Sequence, residues 1–165
     1  MMMIFDFDGT LFNTLPVYFE IRKNRISSKK DILIWHERFI SRQRKYLEEY
    51  ADEWKSFFEK CPAQQIYIIS ESSDQVLTLY LNTFVLKSYI AGFFGHRLAR
   101  DGSRRRTIEE LLFLGEPVWL ISDNPFDLLL RLELLNIVDA RKFHSGGISV
   151  FRQEIVNLEK TIFGN

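Results

Sequence analysis

Three short, strongly apolar runs govern what this chain can fold into: Met2 to Phe7, Gln65 to Ser70 and Pro117 to Asp123. Each ends in a small or acidic residue, and each reads as a strand buried on both faces. Segments with helical spacing lie between and after them, so the sequence predicts an α/β domain with a central parallel sheet. Weaker strands are expected over Tyr89 to Phe94 and Ile137 to Phe143. Ser103 is placed to cap a helix with apolar positions at Ile108, Leu111 and Leu112, and Gly115 with Pro117 ends it. Asn124 as N-cap and Pro125 at the first helical position predict a further helix after the third run.

The segment from Leu15 to Cys61 differs from the rest, because it contains no Gly and no Pro between Pro16 and Pro62. Helical spacing of Ile32, Trp35, Phe39, Tyr46, Tyr50, Trp54 and Phe57 predicts helix throughout. Ser28 with Asp31 three residues on has capping-box form, which divides it into a shorter helix to about Arg25 and a longer one after Ser27 and Ser28. A right-handed crossover between the first two strands needs only one helix, so residues 15–61 are expected to be an insert in a core made of residues 1–14 and 62–165.

Composition narrows the function classes. The chain has 165 residues, 46% of them hydrophobic, and 22 Lys+Arg balance 22 Asp+Glu. Zero net charge disfavours wholesale nucleic-acid binding. Cys61 is the single cysteine, which excludes an intramolecular disulfide and a multi-cysteine zinc site. MMMIF is too short for the apolar core of a signal peptide, and Val76 to Leu86 is interrupted by Thr78, Asn82 and Thr83, so a cytoplasmic location with no membrane association is the default expectation.

The first apolar run leads into DFDGTLFNT, Asp6 to Thr14. Alternation along a strand sends Asp6 and Asp8 to the same side at its mouth, where they can share one substrate atom. Gly9 allows a tight turn and Thr10 adds a hydroxyl beside exposed amides. The stretch resembles the first motif of the haloacid dehalogenase-like (HAD-like) hydrolases, DxDGT followed by an apolar residue. Ser70 at the end of the second run, and Asp123 with Asp127 in SDNPFD, resemble that family's later motifs.

The resemblance implies a Rossmann-like three-layer core, a small all-helical cap over residues 15–61, and the first, second and fourth strands side by side. It also implies a Mg²⁺-dependent phosphomonoester hydrolase, acting on a small phosphorylated metabolite through an aspartyl-phosphate. In that scheme Asp6 is the nucleophile, Asp8 the acid and base, and Ser70, Gly9 and Thr10 phosphate-binding groups. Asp6, the Asp8 carbonyl and Asp123 hold the metal, with Asp127 a ligand or just behind one. The family's lysine is missing, because no Lys occurs between Lys87 and Lys142. Arg104, Arg105 and Arg106 are the candidates to replace it, and the spacing to Ile108 favours Arg104. Arginine is a longer, forked donor, so the exchange is not conservative. With Arg97 and Arg100 the same cluster also reads as a basic surface patch. Two alternatives stand beside the phosphatase: a catalytically weak HAD-like protein that binds a phosphorylated ligand or a protein partner, and a phosphatase of nucleic-acid ends. His36, His96 and His144 have no partner at metal-ligand spacing and read as structural or exposed.

Overall fold

The computed structural model describes residues 1–61, 65–95, 103–113 and 116–164. Pro62, His96, Arg97, Arg100, Gly115 and the Ser103 side chain, which enter the expectations above, lie outside the described residues. The fold is α/β with one five-stranded, all-parallel sheet. Its strands are β1 (Met2–Asp6), β2 (Gln65–Ser70), β3 (Gly92–Gly95), β4 (Val118–Ser122) and β5 (Leu135–Asp139), in the order β3-β2-β1-β4-β5. The three apolar runs are therefore the three central strands, and β1 lies between β2 and β4 as expected. Strand order reverses beside β1, the place where open parallel sheets bind ligands at their carboxyl ends.

Every residue of β1 is buried, and its alternating side chains serve opposite faces of the sheet. Met3 and Phe5 join a cluster with α2 (Lys29–Glu59), α3 (Asp74–Thr83) and α5 (Gly147–Phe163). Met2 and Ile4 join a second cluster with Ile108 and Leu111 of α4 (Ser103–Leu112). The remaining helix, α1 (Leu15–Lys23), follows the β1 loop.

Three local expectations are corrected. The chain makes a 3₁₀ turn at Lys87–Tyr89 before β3 begins at Gly92, and β5 ends at Asp139, with Phe143 buried from the turn beyond it. After β4 there is no α-helix at Asn124. The Asn124 side-chain Oδ1 accepts the Phe126 N–H at 3.0 Å, which closes a local turn, and one 3₁₀ turn at Asp127–Leu129 ends where Leu130 becomes extended.

The division within residues 15–61 falls where the capping box predicts: Ser28 accepts the Asp31 N–H at 3.1 Å and starts α2. At 31 residues α2 runs about 46 Å. Its buried side chains are His36, Ile40, Leu47, Tyr50, Ala51, Trp54, Phe57 and Phe58, while Trp35 and Phe39 are half-buried and Tyr46 is exposed. The apolar stripe is correct from Tyr50 onward and displaced by about one position before it. Trp54, Phe57 and Phe58 meet Phe5 of β1 edge-on, with ring centroids 5.3, 6.1 and 5.4 Å away. This half of α2 is thus the crossover helix between β1 and β2, and the expected boundary at 61/62 does not separate two packing units. The first turns of α2 instead support α1, where Tyr18 packs on His36. No helix among the described residues is long and apolar enough to cross a membrane.

Candidate active site

The loop after β1 is shaped by its own hydrogen bonds and by two side chains, one from α2 and one from the turn before α5. Gly9 has φ +78°, and a Cβ there would lie 2.2 Å from Oδ2 of Asp123, so only glycine lets the two segments approach this closely. Trp54 Nε1 donates to the Leu11 carbonyl at 2.9 Å, and His144 Nε2 donates to the Thr10 carbonyl at 2.8 Å. The loop is therefore held from the core side, by residues distant in sequence.

Asp6, Asp8 and Asp123 all border one cleft of about 850 Å³ at the carboxyl ends of β1 and β4. Asp6 is almost wholly buried. Its Oδ1 accepts its neighbour's Phe7 N–H at 2.9 Å and lies 3.0 Å from Nη2 of Arg104. Burial pushes the Asp6 carboxyl well above the usual range; Arg104 works against that shift, and the nearby Asp8 and Asp123 carboxylates add to it. Asp8 stands in a different setting. Its Oδ2 accepts the hydroxyls of Ser70 at 2.7 Å and Ser72 at 3.0 Å, and its Oδ1 accepts that of Thr14 at 2.6 Å. The Tyr18 hydroxyl hydrogen-bonds to Ser72, which links α1 to the acid.

Arg104 is the arginine that enters the site, as its spacing to Ile108 predicts. It is buried, whereas Arg105 is exposed and pairs with Glu109 at 2.7 Å, and Arg106 is exposed. Its Nε donates to Oδ1 of Asp127 at 3.0 Å and its Nη2 to Oδ2, a fork-on-carboxylate pair next to Asp6. Burial opposes its charge, but Asp6 and Asp127 outweigh burial and hold the guanidinium above its ordinary pKa. Among the described residues Nη1 is buried without a hydrogen-bond partner, and Arg104 borders the cleft. A buried, unpaired N–H donor beside a cleft is a place for an anion oxygen.

These contacts take up four of the expected site residues. Asp127 stands behind the site as the anchor of Arg104, which takes both its oxygens, while Ser122 adds a hydrogen bond to Oδ2 at 2.7 Å. The Ser70 hydroxyl proton goes to Asp8, not toward the cleft. The Gly9 N–H is used by the Phe12 carbonyl at 2.8 Å, and the Thr10 hydroxyl exchanges two 3.1 Å hydrogen bonds with Asp123. Through these contacts Gly9 and Thr10 position Asp123. Thr14, Ser72, Tyr18 and Ser122 were missed, because single hydroxyls carry no sequence signal.

Comparison with family models, with curated proteins and with solved structures returned no match to this chain.

Two side chains could hold a cation, Asp6 and Asp123, which lie close enough to hydrogen-bond when one is protonated. Among the described residues no three His, Cys, Asp or Glu side chains form a metal-binding group. Two carboxylates without nitrogen or sulfur donors suit a small hard ion that keeps most of its waters, and not a zinc centre.

Proposed function

We infer that this protein is a HAD-like phosphomonoester hydrolase, with a Rossmann-like three-layer core and a small helical cap formed by α1 and the first turns of α2. The observation that carries the reading is the pairing at the end of the central strand: Asp6 and Asp8 border one cleft with Asp123 from the neighbouring strand and with a buried arginine that has a free donor. Mg²⁺, held by Asp6 and Asp123, fits the donor set and supplies charge neutralisation as two anions approach each other.

In this reading an Asp6 carboxylate oxygen attacks phosphorus, and the bond from phosphorus to the alcohol oxygen breaks. Asp8 delivers a proton to that oxygen. A water then attacks phosphorus, the bond to Asp6 breaks, and Asp8 takes the proton from the water. The hydroxyls of Thr14, Ser70 and Ser72 hold Asp8 in place for both transfers. Nη1 of Arg104 donates to an equatorial phosphoryl oxygen while Asp127 fixes the guanidinium plane, so the positive charge is already oriented when negative charge develops. An acid and base at the Asp8 position serves an alcohol leaving group, whereas a halide leaves without a proton, which argues against a carbon-halogen hydrolase.

A second reading is a protein that binds a phosphorylated ligand without turnover. It is favoured by the direct Asp6 to Arg104 ion pair, which draws charge from the nucleophile. Phosphate release from acetyl phosphate separates the two. Release that requires Mg²⁺ and stops in Asp6→Asn supports the hydrolase, and absence of release under all conditions supports the binding protein.

A further inference from the structure

The cleft has a second character that the carboxylates and Arg104 leave unexplained. Its rim is apolar, with Leu15 and Phe19 of α1 on one segment and Pro125 and Phe126 of the turn after β4 on another. Phe19 is 68% exposed, Phe126 77% and Leu15 66%. Single exposed apolar residues on a surface need no explanation. Here two aromatic rings from segments a hundred residues apart border the same opening, directly beside a buried polar floor. A small polyol phosphate would find partners in Asn13, Glu20 and Arg22 of the same cleft but would leave both aromatic rings uncovered. A volume of about 850 Å³ also exceeds what a phosphoryl group and a short polar chain would fill.

We propose that the cleft takes phosphate monoesters whose alcohol half carries a flat aromatic or heteroaromatic ring, with the phosphate on Arg104 and the ring against Phe19 and Phe126. The inference rests on the phosphate-site reading above and adds the identity of the other half of the ligand. Aromatic faces accept any flat ring by stacking, and the exposed rings would become covered only when such a ligand is present. Asn13, Glu20 and Arg22, which also border the cleft, supply donors and acceptors for a heteroaromatic edge. Of the two sources of such a ring, a nucleoside 5′-monophosphate sets it one sugar away from phosphorus and an aryl phosphate attaches it directly. The volume of about 850 Å³ favours the larger of the two, the nucleotide.

The test uses equilibrium binding, so that it does not depend on turnover. In the Asp6→Asn protein with Mg²⁺ present, calorimetric titrations would compare 5′-AMP, ribose 5-phosphate and phenyl phosphate. The expected result is 5′-AMP about tenfold or more tighter than ribose 5-phosphate, with phenyl phosphate between them. Added Phe19→Ala or Phe126→Ala should remove most of that advantage and leave ribose 5-phosphate unchanged. Phe113→Ala, at a ring 87% exposed and away from the cleft, should change neither. Equal binding of 5′-AMP and ribose 5-phosphate, equal weakening of both by the Phe variants, or no binding of either overturns the inference. Ring selectivity in a protein that releases no phosphate from acetyl phosphate would overturn the hydrolase reading alone and keep this one.

Discussion

Asp6 and Asp8 are the same residue type two positions apart on one strand end, yet they sit in opposite settings. Asp6 faces a guanidinium and a second carboxylate and is forced toward its neutral form by burial. Asp8 faces three hydroxyls, with a tyrosine behind one of them. The difference teaches how one strand end divides labour. In the proposed reaction the first setting would serve the group that bonds to phosphorus, and the second, a neutral hydrogen-bonding cradle, would serve the group that only moves a proton.

The most severe way to break this contrast is to neutralise Asp6. Asp6→Asn should lower phosphate release by at least about a thousandfold, roughly 4 kcal/mol in transition-state stabilisation. The same change should raise the melting temperature of the metal-free protein near pH 7. The sign follows from the raised pKa: charging Asp6 costs more in the folded than in the unfolded chain. Stability present at low pH is therefore lost as pH rises through the folded-state pKa, and Asn avoids that loss. Calorimetry with and without Mg²⁺ checks it, and a lower melting temperature for the metal-free variant would show that the Arg104 pair outweighs burial.

Next in size is the cation. Arg104→Ala should cost on the order of 2 to 4 kcal/mol in catalysis and also lower stability, since it leaves Asp127 buried without its charge partner. Arg104→Lys should recover part of the rate but little of the stability, because an ammonium cannot match the fork on Asp127. Arg105→Ala should change neither. Initial rates and thermal melts on the three variants read out the difference, and equal losses at Arg104 and Arg105 would remove Arg104 from the site.

A smaller effect comes from two imidazoles, the buried His36 behind Asp8 and the half-buried His144 behind the Thr10 and Asp123 contact. His36 joins Tyr80 and Tyr18 on the Asp8 side, and His144 holds the Thr10 carbonyl next to Asp123. Burial pushes each down to about 4. Both stay neutral when folded, so their contribution is complete above the ordinary histidine value of 6.5 and is lost as pH falls from there toward 4. The loss is on the order of 2 to 3 kcal/mol for each. Urea unfolding at a series of pH values should show it, and replacing either histidine by Gln should flatten that part of the profile.

The smallest expected change lies at the link to α1. Tyr18→Phe removes the hydroxyl that bonds to Ser72 and should slow turnover less than tenfold, about 1 kcal/mol. Its signature is a shifted acidic or basic limb in the pH dependence of kcat/KM, with binding of the phosphate group unchanged. An unaltered pH profile would mean that Tyr18 only packs against His36.

Much of this site was legible in the chain. The apolar runs specify the central strands because a parallel strand buried on both faces leaves an uninterrupted signature, and their final residues mark one sheet edge. Arg104 could be chosen among three arginines because four-residue spacing from Ile108 places it on the buried face of α4. The failures have equally specific causes. Asn124 and Pro125 carry a helix-start signal that a local turn satisfies just as well, and tertiary bonding of Asp127 to Arg104 decides against the helix. In α2 the sequence stripe follows Trp35 and Phe39, whereas the burial follows His36 and Ile40. The N-terminal half packs on α1 and Tyr80, not on the sheet, and its buried face is partly polar. That is also why Leu15 to Cys61 cannot be excised as a unit: the half that carries Trp54 and Phe57 belongs to the layer over Phe5. Of the hydroxyl cradle around Asp8 only Ser70 was marked, by its place at the end of the second apolar run, whereas Thr14 and Ser72 resemble any other loop hydroxyls until the fold brings them together.

The central claim is that phosphorus bonds to Asp6 during turnover. The most direct measurement is rapid acid quench of the Asp8→Asn protein after mixing with acetyl phosphate and Mg²⁺, followed by borohydride reduction and peptide mass spectrometry. The account predicts that an acyl phosphate accumulates and that reduction converts Asp6, and no other residue, to homoserine. Phosphate found on Ser70, Ser72 or a histidine, or wild-type turnover with no modified Asp6 in the variant, would contradict it.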